Sequence, residues 1–505
     1  MSAPTLAARP GTRPDAAAPR PGRPAAISQW VAAVALLTAV GSATLTASGV
    51  RDPRFLDLWV LPVVFVVCYL TYLHRAVWDR PTPLRVVFVA GAYLRYVASP
   101  ALIALTQQYG TWAKTEVSDR HVTTALVIMS LELVACTLAL MLLDRRRRGR
   151  DAPAPAAEAA PRRLSAGPPG RYLLGAAIGA LALVASDAAR AYFTIPVVLP
   201  EGDFGLDLKE TSALDEVAIL FAVTAKHLAF LAAVIWARRR FDATGFTRYV
   251  WFAMAATVAN CVVFFGTNRL ATIFVALSSI LVYVLLFPRH RLRLYALAVP
   301  GLFVVYQFMT RARNYWDPYS DYSGLEHTLR NLESLINHYL GGIHNVAIAA
   351  KMAESYAADA TLQNLVFDLI RPFPVLNQLV ADSPLKTSNQ YFNMEFYQSY
   401  QMDVILPSVG QGTFYFGPWL AWVIPVALLV VGVLIERWMA AGLRIEYIYL
   451  SSFVLMRLGT LMGSNATIQV NEFTIQFLLP LFAVWFLSSF SLRRTASPRV
   501  RPFDA

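Results

Sequence analysis

Apolar residues along this chain gather into runs of roughly twenty, separated by short segments rich in Arg, Pro, Gly and Asp. At about 1.5 Å rise per residue, a helix of about twenty residues matches the hydrocarbon core of a bilayer. The pattern predicts an all-α polytopic membrane protein of about 12 transmembrane helices. The first six runs are Ile27 to Ser48, Leu56 to Leu73, Leu84 to Leu105, Val122 to Leu143, Tyr172 to Ala189 and Val217 to Ala237. The second six are Tyr249 to Gly266, Leu270 to Phe287, Leu294 to Thr310, Phe414 to Ile435, Ile445 to Met462 and Phe473 to Leu492.

Positive charge is sorted by these runs. With the sides alternating, 27 Lys and Arg fall in the segments of one face and 7 in the short segments of the other. Cytoplasmic segments carry the excess of basic residues, so both termini are expected in the cytoplasm. Arg145 to Arg148, Arg238 to Arg240, Arg289, Arg291 and Arg293, and Arg493-Arg494 each follow an apolar run directly. A hydrophobic fraction of 56%, a charged fraction of 15% and a mean hydropathy of +0.47 exclude an ordinary soluble domain. The net charge of +12 is then a set of membrane anchors and calls for no nucleic acid. Cys68, Cys136 and Cys261 all lie within apolar runs and form neither a disulfide framework nor a metal motif.

The predicted organisation is a disordered cytoplasmic tail (1–26), a first helix group (27–143) and a Pro-, Ala- and Arg-rich cytoplasmic linker (144–171). A second helix group (172–310), a large extracytoplasmic loop (311–412), the C-terminal helices (413–492) and a cytoplasmic tail (493–505) follow. In the loop, Leu325, Leu329, Leu332, Ile336 and Leu340 recur at helical spacing until Gly341-Gly342 interrupts them. Amphipathic helices lying on the membrane or capping a cavity are expected there. Long structured loops usually carry function, the alternative being a receptor-like or structural cap.

Arg95, Glu132, Lys226 and Arg457 lie deep within predicted spans. A charge near the bilayer centre costs on the order of 3 kcal/mol or more, so such residues face a bundle interior. Arg95 and Glu132 can neutralise one another, but three cations against one carboxylate leave positive charge over, which suits an anionic ligand such as a lipid phosphate or pyrophosphate. Arg269, in the tight turn Gly266-Thr-Asn-Arg269, and Arg311 and Arg313, at the start of the loop, add cations on the external side, where the alternative is snorkelling at helix ends. His327, His338, His344, Asp317, Asp321, Asp368, Asp382, Glu395 and Asp403 are the loop's possible proton acceptors. No serine-hydrolase order, HExxH, P-loop or paired-Cys motif occurs, and no cofactor or metal is called for.

Phe265-Gly-Thr-Asn-Arg-Leu-Ala-Thr-Ile-Phe274 and Leu406-Pro-Ser-Val-Gly-Gln-Gly-Thr-Phe-Tyr-Phe-Gly-Pro418 resemble stretches of the O-antigen or oligosaccharide repeat-unit polymerases, the Wzy-type proteins. Tyr339-Leu-Gly-Gly-Ile-His-Asn345 resembles the large loop of that family, and Arg313 with Gly324 and Arg330 with Gly341 match its Arg-to-Gly spacing. The likeness covers the region from about Tyr249 to Leu492. It implies a glycosyltransferase C-like bundle in the bacterial plasma (inner) membrane. The implied reaction transfers glycan from an undecaprenyl-pyrophosphate carrier to a lipid-linked repeat unit at the outer face. Under this reading Arg95, Lys226, Arg269, Arg311, Arg313 and Arg457 hold the pyrophosphate, and His344, Glu395 or Asp403 accepts the acceptor's proton. Partners would be the polyprenyl-pyrophosphate-linked oligosaccharide, membrane lipid and other polysaccharide export proteins. The alternatives are a lipid-linked glycan ligase, a polyprenyl-phosphate-sugar glycosyltransferase and a lipid-linked oligosaccharide transporter or flippase. The short first external loop, with only Asp52, lowers the second of these, and the lack of a clear internal repeat lowers the third.

Overall fold

The computed structural model describes residues 24–48, 53–109, 113–150, 165–194, 212–265, 269–296, 324–373, 383–399, 404–441 and 444–489, with a few isolated positions between. The chain is a helical membrane protein; apart from a two-residue antiparallel pair, Phe193–Thr194 with Phe264–Phe265, the regular structure of the described residues is helix. Among the described residues, seven helices are long and apolar enough to cross a bilayer, or eight if the bent pair Leu270–Leu286 and Pro288–Ala296 counts as one. The first four are α1 (Pro24–Ser48), α2 (Asp57–Trp78), α3 (Pro83–Thr106) and α4 (Asp119–Arg150). Beyond the linker come α5 (Pro169–Ala185), α6 (Ala213–Thr244), α7 (Arg248–Val262) and α8 (Arg269–Leu286).

The region of the expected external loop is helical where it is described. It contributes α9 (Gly324–Leu340), α10 (Ile343–Ser355), α11 (Leu362–Ile370), α12 (Ser388–Tyr397) and α13 (Ser408–Phe416). The bundle closes with α14 (Val423–Ala441), α15 (Ile445–Gly459) and α16 (Ala466–Ser489). Of the runs read from sequence as spans, α5, α7 and α15 reach only 17, 15 and 15 residues. Most of the run from Leu294 to Thr310 lies outside the described residues.

Local chemistry sets the helix ends. Thr82 caps α3 ahead of a proline at its first position, where the missing N–H costs nothing. A capping box of Ser212 and Asp215 opens α6, which stops at Gly245 with φ of +70°. Three spans contain a π-helical turn, at Tyr69–Leu73, Leu94–Ala98 and Thr474–Leu478. Each widened turn lets one extra residue into the helix and re-aims the side chains around it.

At one end of the bundle a buried ionic clamp joins three helices. The Arg85 guanidinium on α3 donates to both Asp144 oxygens on α4, at 2.7 and 3.0 Å, and to Glu436 on α14 at 3.0 Å. Tyr72 donates to the same Asp144 and Thr82 to the same Glu436. The opposite end, where α3 finishes at Thr106 and α4 begins at Asp119, carries α9 to α13 and forms the loop end of the bundle. Between the two ends α15 is buried over nearly its whole length.

Candidate functional site

Midway along α3 and α4 sits a buried charge pair. The π-helical turn of α3 carries Arg95, whose Nη1 lies 2.6 Å from Glu132 Oε2 on α4, and both side chains are 0% exposed. The Tyr96 hydroxyl lies 2.7 Å from the Met129 carbonyl and 3.1 Å from Glu132 Oε2, and its one proton serves either acceptor. Arg95 Nε and Nη2 have no hydrogen-bond partner among the described residues. Burying a pair of charges is repaid only when the remaining donors and acceptors are met, so this centre is under-satisfied. It therefore has capacity for a further polar group.

The segments Tyr339 to Asn345 and Pro407-Ser408 meet beside this pair. Helices α9 and α10 form a hairpin through Gly341-Gly342. Gly341 adopts φ of +61°, and a Cβ there would fall 2.6 Å from the Pro407 ring and 3.1 Å from the Met462 carbonyl. A Cβ on Gly463 would overlap the Tyr339 carbonyl oxygen. The hairpin tip thus touches the segment after α15 backbone to backbone and the start of α13 through the Pro407 ring, with the Ser408 hydroxyl close enough to Glu132 to interact with its carboxylate.

His344 opens the second arm of the hairpin. It is 7% exposed, its ring centroid is 5.0 Å from that of Tyr109, and its Nδ1 has no hydrogen-bond partner among the described residues. The adjacent Asn345 donates to the Asn337 carbonyl at 3.0 Å and locks the two arms together.

The other expected acceptors differ. Glu395 is paired with Lys351 at 3.1 Å and accepts from Thr115 at 3.1 Å. Asp368 is saturated: it accepts from the Ser388 backbone and hydroxyl, from Gln411 at 3.0 Å and from Tyr415 at 2.8 Å. Burial raises its carboxyl above the ordinary range against the pull of those donors, and the cluster pins α11, α12 and α13 together. Asp403, Arg311 and Arg313 lie outside the described residues, and of Arg269 only the backbone, opening α8, is described.

Each of the other deep cations meets a group of its own. Arg457 Nε is 2.8 Å from Glu472, and the Lys226 ammonium donates to the Val263 carbonyl. With Arg95 on Glu132 and Arg457 on Glu472, the surplus of unmatched positive charge expected from sequence is not present at these two arginines. Glu472 escapes a sequence reading because it stands one residue before the run that starts at Phe473.

A second polar cluster also escapes that reading. His227 Nδ1 lies 2.8 Å from the Tyr449 hydroxyl and Nε2 lies 3.1 Å from Gln476 in the third π-helical turn. Asn260 donates to Tyr449 at 3.0 Å and to Ser279 at 2.7 Å. Glu333, 1% exposed on α9, accepts from Ser99 at 3.3 Å. A buried polar residue on the inward side of a short helix gives no signal in an averaged hydropathy pattern.

Among the described residues no group of three His, Cys, Asp or Glu stands close enough to hold a metal ion. Compared with protein-family models, curated proteins and solved structures, the chain matches none of them.

Proposed function

We propose that the protein is a membrane glycosyltransferase that lengthens a lipid-linked glycan, transferring the growing chain from a polyprenyl-pyrophosphate carrier to a hydroxyl of another lipid-linked repeat unit. The observation that carries the reading is the meeting of Tyr339 to Asn345 with Pro407-Ser408 beside the Arg95–Glu132 pair at mid-helix. Two stretches similar to one family, more than sixty positions apart, come together at buried charge with spare hydrogen-bonding capacity. In the reaction the acceptor oxygen bonds to the anomeric carbon, the bond from that carbon to the carrier's pyrophosphate oxygen breaks, and the acceptor's proton passes to His344. The unpartnered Arg95 donors suit phosphate oxygens, and Arg269, Arg311 and Arg313 would add to them at the outer face. The full twelve-span, glycosyltransferase C-like architecture with both termini in the cytoplasm belongs to the same proposal.

A transport reading draws on the helices that end at mid-bundle near polar groups, as discontinuous helices do in transporters. One assay separates the two: purified protein in vesicles is given lipid-linked repeat units. Elongation gives a ladder of longer glycans, whereas transport moves the substrate across the vesicle without lengthening it. A ligase would instead need a different acceptor lipid.

A further inference from the structure

The outward face of α9 is mostly leucine, with Glu326 and Thr328 exposed near its start, and its inward face is mostly polar, with Ile336 and Leu340 buried toward its end. Leu325, Leu332 and Leu335 point outward with 73%, 45% and 37% of their surface exposed, while Arg330, Glu333, Ser334 and Asn337 are buried. A helix resting on a water-facing protein surface would turn the other way, leucines in and charges out. A similar arrangement occurs on α11, where Leu362, Val366 and Leu369 are exposed and Asn364 and Asp368 are buried.

The position of α9 explains the arrangement. It runs antiparallel along α3: Arg330 donates to Gln108 just past the end of that helix, Glu333 meets Ser99, and Leu340 lies beside Gly91. The chain then turns at Gly341-Gly342 and returns along α4, where Glu354 on α10 pairs with Arg120 at 3.2 Å and lies 3.3 Å from His121. Both arms therefore begin and end at the loop end, and the tip stands level with residues midway along two helices that cross the membrane.

We propose that α9 and α10 form a re-entrant hairpin that enters the bilayer from the loop end, turns at Gly341-Gly342 near mid-membrane and presents the leucine face of α9 to lipid hydrocarbon. The occupant of that face is fixed by depth: α3 is a candidate span, and whatever bathes its outward surface at Leu94 and Leu105 bathes α9 beside it. Polar side chains on the opposite face of α9 then complete the protein interior around Arg95 and Ser99. The inference does not depend on which reaction the protein performs.

Site-directed spin labelling in proteoliposomes tests it. Cys68, Cys136 and Cys261 are buried and are replaced by Ala; single cysteines are then placed at Leu325, Leu332 and Leu335 and labelled. Exposed Val127 on α4 serves as the lipid reference and exposed Thr244 at the end of α6 as the aqueous one. Labels at Leu332 and Leu335 should collide with oxygen as readily as the label at Val127 and hardly at all with an aqueous nickel chelate. Because ten helical residues rise about 15 Å, the label at Leu335 should report a greater depth than that at Leu325. Equal depth along α9 would mean a helix lying flat in the interface, access to nickel like that at Thr244 would mean a water-facing helix, and shielding from both reagents would mean a second protein surface. Any of these three overturns the proposal.

Discussion

At the scale of single residues, the Arg95–Glu132 pair is the part of the site most readable in the sequence, because two charges in apolar runs have few stable places to go. Removing one partner of a buried pair leaves the other charge uncompensated, at a cost of about 3–5 kcal/mol. Glu132→Ala should therefore lower the thermal unfolding midpoint sharply in detergent, and joining it to Arg95→Leu should restore most of the loss. Glu472, Glu333 and His227 are not readable because each sits at the edge of an apolar run, within a loop or beside a more conspicuous neighbour, Lys226.

At the scale of elements, the leucine spacing from Leu325 to Leu340 correctly marks a helix, but it divides differently from a single buried stripe. Ile336 and Leu340 pack with Leu102, whereas Leu325 and Leu332 face outward. A helix between a polar interior and lipid has apolar residues on both sides, and periodicity alone does not say which side is core. The tip depends on Gly341 and Gly463, where backbones approach too closely for a side chain. Gly341→Val combines a left-handed φ with a collision against Pro407 and should destabilise the protein by about 1–3 kcal/mol or more. Gly245→Ala, at the positive-φ end of α6 with open space around it, should cost only about 1 kcal/mol. Comparing the two by thermal unfolding separates crowding at the tip from backbone strain alone.

At the scale of the whole molecule, the sequence conveys an all-helical membrane bundle through run length and hydropathy, while the helix count depends on packing. The helices α7 and α15 end at 15 residues because Val263 takes an extended conformation in one and a 3-10 turn at Leu461–Gly463 follows the other. The far end is held by Arg85 between Asp144 and Glu436, and Arg85→Leu should cost about 3–5 kcal/mol by leaving buried Glu436 without its cation and Asp144 with only the more distant Arg80. That loss should appear in unfolding while the loop-end site keeps its structure. The proposed transfer takes place at the hairpin tip. Its most direct test is single-turnover transfer between lipid-linked repeat units by the parent and by His344→Gln at matched amounts of folded protein. The rate should fall by about a hundredfold or more in the variant, as for a lost general base, with substrate binding retained. Equal rates of chain growth in the two proteins would contradict the proposal.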